Sequence, residues 1–291
     1  MKKEGKNFKL WSSRADLIGD SVMFLPVLNF LEKEFPNSYK VFPIMKKCSQ
    51  AEPLFLGHPL IDRTHITDFD EGFGENDKKV FEECDFQIDV RPKHSSEQWH
   101  NTRSMIEETW VMSGVGLNKF REMEEKDKLP MLYEWFDIER TNKTVAIHCF
   151  AGYGRDNHRS PDMGWWKKTV SDLEASGYKV VRLGHPSEPD LNMFVSDLRE
   201  SSFMDQVKAA LGCDFYIGTD SGFSLVMGAY GHPQISLLTN WNNGHISNPY
   251  CLAPINHKGQ NLNLFCDIKK GGCSGISQER LIEATRILTA T

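Results

Sequence analysis

The sequence predicts an α/β fold of two doubly wound, Rossmann-like halves facing a central cleft. Short apolar runs alternate with longer amphipathic stretches along the chain, the pattern of strand–helix–strand units that build parallel sheets. The pattern restarts near residue 141, after the polar run Glu139-Arg140-Thr141-Asn142-Lys143. Between Phe215 and Tyr230 an apolar run breaks into Gly218-Thr219-Asp220-Ser221-Gly222 and resumes at Phe223. That is how a buried strand hands over to a helix in such a fold.

The elements follow in order. Phe8 to Trp11 reads as a first strand. Gly19 to Phe35 reads as a helix, with Val22, Leu25, Val27, Leu28 and Leu31 as its apolar stripe and Pro36 as its stop. Tyr39–Ile44 and Phe86–Val90 read as later strands. Residues 91–135 are charged and helical in pattern, with Trp99, Met105, Ile106 and Trp110 as packing residues.

In the second half, Thr144–Phe150 is strand-like and runs into the glycine-rich, charged loop AGYGRDNHRSPDMG. A helix follows over Trp165–Ser176, with Gly177 placed to cap its C-terminus. Lys179–Leu183 is a strand, Met204–Leu211 a helix and Phe215–Ile217 a strand. Ser277 is placed as the N-cap of a last helix whose stripe is Leu281, Ile282, Ala284, Ile287 and Leu288. With 291 residues, 40% hydrophobic and 25% charged, the chain has the size and balance for two globular domains. The expected boundaries are 1–140 for an N-terminal domain, 141–276 for a C-terminal one, and 277–291 for a helix packing back across them.

Composition narrows the classes of function. A net charge of −6 counts against nonspecific nucleic-acid binding, which draws on a basic excess. The seven cysteines are scattered, odd in number and without a C-x-x-C pair. That weakens zinc-ribbon and disulfide-framework readings and favours a reducing compartment. The charged N-terminus has no apolar core behind it, and no run of about 18 apolar residues exists. A soluble, cytoplasmic protein is expected. H-E-x-x-H, Walker and G-x-S-x-G motifs are lacking.

Four strand-end segments can carry chemistry, and each has a plainer reading. In Thr219-Asp220-Ser221-Gly222, the unpaired N–H groups of a following helix would favour an anion such as phosphate, and the glycine would allow close approach. The same acid or hydroxyl could simply cap that helix. Leu17-Ile18-Gly19-Asp20-Ser21 has the same form, and Asp20 is a general base or an N-cap. Arg155 and Arg159 in the glycine-rich loop can grip a diphosphate, or sit in a solvated loop. Gly184 and Glu188, in Arg182-Leu183-Gly184-His185-Pro186-Ser187-Glu188, can meet a ribose hydroxyl pair, or form a surface turn. His148 lies within a strand pattern and reads as a packed histidine. Asp68-Phe69-Asp70 and Trp241-Asn242-Asn243-Gly244-His245 read mainly as surface loops.

The order of these segments resembles the heptosyltransferase-like glycosyltransferases (glycosyltransferase family nine). Residues 14–36, RADLIGDSVMFLPVLNFLEKEFP, resemble that family's opening. Residues 145–184 resemble the start of its donor domain, 212–237 its D-S-G segment, and ISQERLIEATRIL its ending. The stretch from Val180 to Gly222 also resembles other bacterial surface-polysaccharide glycosyltransferases. Where the family has a histidine two residues after D-S-G, this chain has Phe223-Ser224-Leu225.

The resemblance implies a GT-B fold and an inverting transfer of a sugar from a nucleotide-sugar donor, with no cofactor and no obligatory metal. It implies a glycan or glycolipid acceptor, and a peripheral membrane association through that acceptor. Asp20 would deprotonate the acceptor hydroxyl. Arg159 would stand near the donor phosphates and Glu188 at the donor nucleoside. Asp220, Ser221 and Gly222 would hold the donor sugar and diphosphate. Two other readings stay open: a glycosyltransferase modifying nucleic-acid bases, as in viral DNA, and a non-catalytic nucleotide-sugar or glycan-binding protein.

Overall fold

A computed structural model describes residues 8–13, 17–68, 74–89, 105–113, 115–151, 159–193, 196–240 and 253–290. The chain divides into two compact units, Met1–Gln98 with Met105–Trp135, and Trp99–Ser104 with Phe136–Thr291.

The first unit is built on β1 (Phe8–Ser13), α1 (Ile18–Glu34), β2 (Ser38–Met45), α2 (Glu52–Leu56), β3 (Arg63–Thr67), α3 (Glu75–Glu82) and β4 (Phe86–Asp89). The helices α4 (Met105–Met112) and α5 (Leu117–Glu122) follow. Its four strands are parallel in the order β3-β2-β1-β4. Every residue of β2 is buried, as expected of a strand covered on both faces. Lys40 in β2 is the costly exception in type, and it is ion-paired with Glu32 of α1.

The helix α1 buries Val22, Met23, Phe24, Leu25, Val27, Leu28 and Leu31, more than a single stripe. Pro26 lies inside it, and the helix ends at Phe35 (φ −135°, ψ 67°), which leaves the helical region just before Pro36. Trp110 of α4 is fully buried and meets Phe30 and Phe120 edge-on or tilted, at 5.4 and 5.3 Å. The strand β3 and the helix α3 carry too few apolar residues to be read from the sequence.

The second unit contains β5 (Thr144–His148), α6 (Met163–Ala175), β6 (Lys179–Leu183), β7 (Ser196–Asp197), α7 (Phe203–Gly212), β8 (Phe215–Thr219), α8 (Gly222–Ala229), β9 (Gln234–Leu238), β10 (Asn261–Phe265) and α9 (Gln278–Thr289). Its six strands are parallel, in the order β10-β9-β8-β5-β6-β7. The chain runs outward from β5 in one direction through β6 and β7, then returns to the other side of β5 for β8, β9 and β10. The strand order therefore reverses between β5 and β8, the switch point of a dinucleotide-binding topology.

Polar caps and indole hydrogen bonds set the register of the helices on this sheet. Asp162 caps α6 by accepting the Trp165 N–H at 2.8 Å. Trp166 and Trp165 donate their indole N–H groups to the carbonyls of Cys149 (2.9 Å) and Ile276 (2.6 Å). Gly177 takes the left-handed conformation (φ +86°) expected of a residue closing a helix. Ser277 caps α9 as anticipated. Its Leu281, Ala284 and Leu288 join the core with Val145, Ile147, Trp166, Phe215 and Ile235. Ile282 and Ile287, expected on the same stripe, are instead 36% and 51% exposed. A helix that lies on one sheet buries a narrower arc than five apolar positions span.

Candidate functional site

Three strand ends meet at the switch point of the second unit. The side chains they carry are drawn together although they are far apart in sequence. β5 ends at His148. β6 ends at Leu183 and turns through Gly184, whose φ of +138° lies in the region that favours glycine. β8 runs two residues past its apolar core to Thr219, and α8 starts at Gly222 after a turn of only Asp220 and Ser221.

The turn between β8 and α8 does not take the capping alternative that the sequence left open for Ser221. Ser221 occupies the N-cap position but makes no side-chain cap hydrogen bond. Its hydroxyl lies 3.0 Å from Nδ1 of His148. Asp220 is turned away from the helix start: Arg159 donates from Nη2 to both its carbonyl (2.7 Å) and its Oδ2 (2.8 Å). Beneath the turn, Ser224 donates to the Thr219 carbonyl at 2.5 Å and meets the Tyr216 hydroxyl at 3.2 Å. Tyr216 is fully buried, and burial pushes its ionisation up. The Tyr216 ring also closes the space over Gly218, where an added Cβ would lie 2.0 Å from the hydroxyl oxygen. The Thr219 hydroxyl is buried, with no hydrogen-bond partner among the described residues.

Glu188 is the surprise of the site. The sequence left it open as a surface acid, and its side chain is only 2% exposed. Oε1 accepts the His185 N–H at 2.8 Å and lies 3.4 Å from Nε2 of His148. Among the described residues Oε2 has no hydrogen-bond partner, and it stands 3.9 Å from Nη2 of the fully buried Arg182. Gly184 makes room for this carboxylate: a Cβ there would sit 2.4–2.7 Å from its atoms. Gly184 is itself anchored by its N–H to Oε1 of Gln206, at 2.8 Å.

Arg199 closes the loop from behind. It is paired in bidentate fashion with Asp197 (2.8–3.0 Å) and donates to the Glu188 carbonyl at 2.5 Å. The bond to Asp197 raises its hold on its proton.

The second unit thus brings Arg159, Gly184, Glu188, Thr219, Asp220, Ser221 and Gly222 to one sheet edge. Sequence reasoning did not assign His148, Arg182 and Arg199 to this site. The basic character of Arg182 inside an apolar strand was the one available signal, since a fully buried arginine needs partners.

Asp20 belongs to the first unit. It lies in the first turn of α1, 8% exposed, and its Oδ2 accepts the N–H of Leu17 at 3.3 Å. This is the reach-back half of a capping box. Gly19 lies within α1, which opens one residue earlier than the expected start at Gly19. Arg155 lies outside the described residues, as do Phe69, Asp70 and residues 241–245. Asp68 forms a surface ion pair with Lys46 at 3.2 Å. Among the described residues, no group of three or more His, Cys, Asp or Glu is placed to hold a metal ion, and no helix is long and apolar enough to cross a membrane.

Such a site can take an anion against the start of α8 and a hydroxyl-bearing group against Glu188. No family model matches the chain, and no curated protein matches it significantly. Solved structures do. The glycosyl transferase family 9 protein from Veillonella parvula superposes with a TM-score of 0.71, at 16% identity over 99% of both chains. The E. coli ADP-heptose LPS heptosyltransferase II does so with a TM-score of 0.69, at 13% identity over 97% of this chain and 98% of that one. The E. coli heptosyltransferase WaaC with ADP gives 0.65, at 14% identity over 96% and 99%. The fold is therefore GT-B, as the sequence resemblance implied.

Proposed function

We propose that the protein is a glycosyltransferase that moves a sugar from a nucleotide-sugar donor to a hydroxyl of a surface glycan or related acceptor, with inversion and without an obligatory metal. The observation that carries this reading is the convergence, at the switch point of a GT-B chain, of the Arg159–Asp220 pair, the Ser221 turn and the buried Glu188. Open α/β sheets take their ligands outside the carboxyl ends of the strands at that place. The neighbour WaaC was solved with ADP, which supports a nucleoside diphosphate as the ligand class.

In this reading Glu188 accepts from the hydroxyls of the nucleoside sugar through its unpartnered Oε2. Gly184 serves the donor site by leaving room for that carboxylate. Ser221, Gly222 and the first turn of α8 meet the diphosphate, with the Thr219 hydroxyl beneath them and Asp220 held in place by Arg159. Arg155, in the same basic loop, adds positive charge to the diphosphate. As the bond to the sugar breaks, charge grows on the leaving diphosphate. The helix start and the guanidinium stabilise it where another enzyme would use a cation. Asp20 takes the proton of the acceptor hydroxyl as its oxygen attacks the anomeric carbon from the face opposite the diphosphate. That direction of attack is what inverts the configuration.

A thermal-shift panel of UDP-, GDP-, ADP-, CMP- and TDP-sugars, with magnesium and with EDTA, tests the reading. A donor at a hundred times its Kd adds about 2.7 kcal/mol of stability, enough to raise the Tm by several degrees. One base should shift it, equally in EDTA. The absence of a shift with every donor would remove the nucleotide-sugar reading, and a shift only with magnesium would remove metal independence.

A further inference from the structure

His148 ends β5, and its two ring nitrogens reach two different elements: Nδ1 the Ser221 hydroxyl at 3.0 Å, Nε2 the Glu188 carboxylate at 3.4 Å. The ring is held from the side by Phe223 at 5.0 Å between centroids, and Phe223 packs on Phe203 at 4.9 Å. The ring thus joins the two residues that the nucleotide-sugar reading sets at opposite ends of a nucleoside diphosphate.

Hydrogen bookkeeping gives this ring more than a packing role. A carboxylate only accepts, and its negative charge 3.4 Å from Nε2 favours a hydrogen on that nitrogen. In the neutral ring, Nδ1 is then a lone pair and takes the Ser221 hydrogen. The hydroxyl turns its own lone pairs outward, the wrong face for an anion. In the doubly protonated ring, Nδ1–H donates to Ser221 Oγ, and the hydroxyl hydrogen is released to point at the ligand.

Around this chain the Arg182 guanidinium lies behind Glu188 and Arg159 is engaged with Asp220, while the buried Tyr216 hydroxyl reaches both Ser224 and Ser221. The Cys149 thiol is kept protonated by burial.

We propose that His148 is a positioning residue that turns the Ser221 hydroxyl into a donor toward the diphosphate while holding Glu188 for the nucleoside, so that nucleotide binding draws a proton onto the ring. The inference rests on the nucleotide-sugar reading of the site. UDP, GDP, ADP, CDP and dTDP are titrated into the full-length protein by calorimetry. The tightest binder is then followed from pH 6 to 8.5 in buffers of different ionisation enthalpy.

The expected result is proton uptake approaching one at the upper end, with affinity falling by up to about tenfold per pH unit. His148→Gln and, separately, Ser221→Ala should flatten that slope. The nucleotide's own ionisation is common to all three proteins and cancels in the comparison. Binding without proton uptake, or an unchanged slope in both variants, would overturn the relay and leave the site reading standing. No nucleotide binding at any pH would overturn the site reading, and the relay with it. Nitrogen-15 spectra of the unliganded wild type at pH 8 give a check that needs no variant to fold. They should show the hydrogen of His148 on Nε2, and finding it on Nδ1 would overturn the proposal.

Discussion

The turn that opens α1 and the turn that opens α8 have the same composition and different uses. Each places a glycine, an acid and a serine where a strand gives way to a helix. In the first unit the acid serves its own helix: Asp20 reaches back to the Leu17 N–H. In the second unit neither polar residue does. Asp220 is taken by Arg159 from a loop 61 residues earlier, and Ser221 by His148 from 73 residues earlier. A helix start whose side chains are engaged elsewhere leaves its N–H groups for a ligand. The comparison teaches that a short polar motif acquires its role from what the sheet brings beside it.

The sharpest way to break the comparison is Asp20→Asn. The amide keeps an oxygen for the Leu17 N–H, so the fold should survive. Removal of a general base should lower the transfer rate by about 10²–10⁴-fold while donor binding is retained. Rates near wild type, measured with a donor identified by thermal shift, would reduce Asp20 to the cap that the geometry displays.

On the other side, Arg159→Met strips Asp220 of its partner. Loss of a charge-assisted hydrogen bond of about 1.5–3 kcal/mol should weaken nucleotide binding by roughly ten- to a hundredfold. Calorimetry would show it, and an unchanged Kd would exclude Arg159 from the diphosphate site.

Gly184→Ala tests the same edge through the backbone. It would put a methyl against the Glu188 carboxylate at a φ of +138°, and should cost about 2 kcal/mol in urea unfolding as well as nucleotide affinity.

The two units also share a pH liability. Burial lowers His58 of the first unit to about 4, against a weaker opposing hydrogen bond at the Met131 backbone. Burial, with help from Arg140 and Lys258, lowers His232 of the second unit to about 3. Both histidines are neutral when folded and bind protons more readily when unfolded. Their contribution to stability is complete above about pH 6.5, and is lost as pH falls toward 4 for His58 and 3 for His232. Urea melts at pH 7, 6 and 5 should show the decline, and His58→Gln should flatten it.

The smallest effect is reserved for a cap that serves only its helix. Ser277 accepts the Arg280 N–H, and Ser277→Ala should cost about 1 kcal/mol with nucleotide binding intact. A binding defect there would show that the helix ends of the second unit are not separable into structural and ligand-facing ones.

Strands with continuous apolar runs were legible in the sequence. β2, β5, β6 and β8 stand within two residues of their expected bounds, because a strand buried on both faces has no polar alternation to confuse. β3 and β10 were not legible: Arg63-Thr64-His65-Ile66-Thr67 and Asn261-Leu262-Asn263-Leu264-Phe265 are mixed in polarity and gain their place from neighbours in the sheet. Within the site, Gly184, Arg159 and the D-S-G turn carried local signals of glycine, charge and strand end. His148 did not, since a histidine in an apolar strand looks the same whether it packs or bridges.

The chain order of strands, helices and glycine turns was enough to specify two parallel-sheet halves and the strand ends where the candidate site lies, because period, burial and turn chemistry are local properties. Which acid caps and which is held by an arginine, and that a serine, a histidine and a glutamate form one chain of contacts, was decided only when the sheet closed. Parallel strand order sets residues 40 to 73 positions apart side by side, and their contacts exist only across that gap.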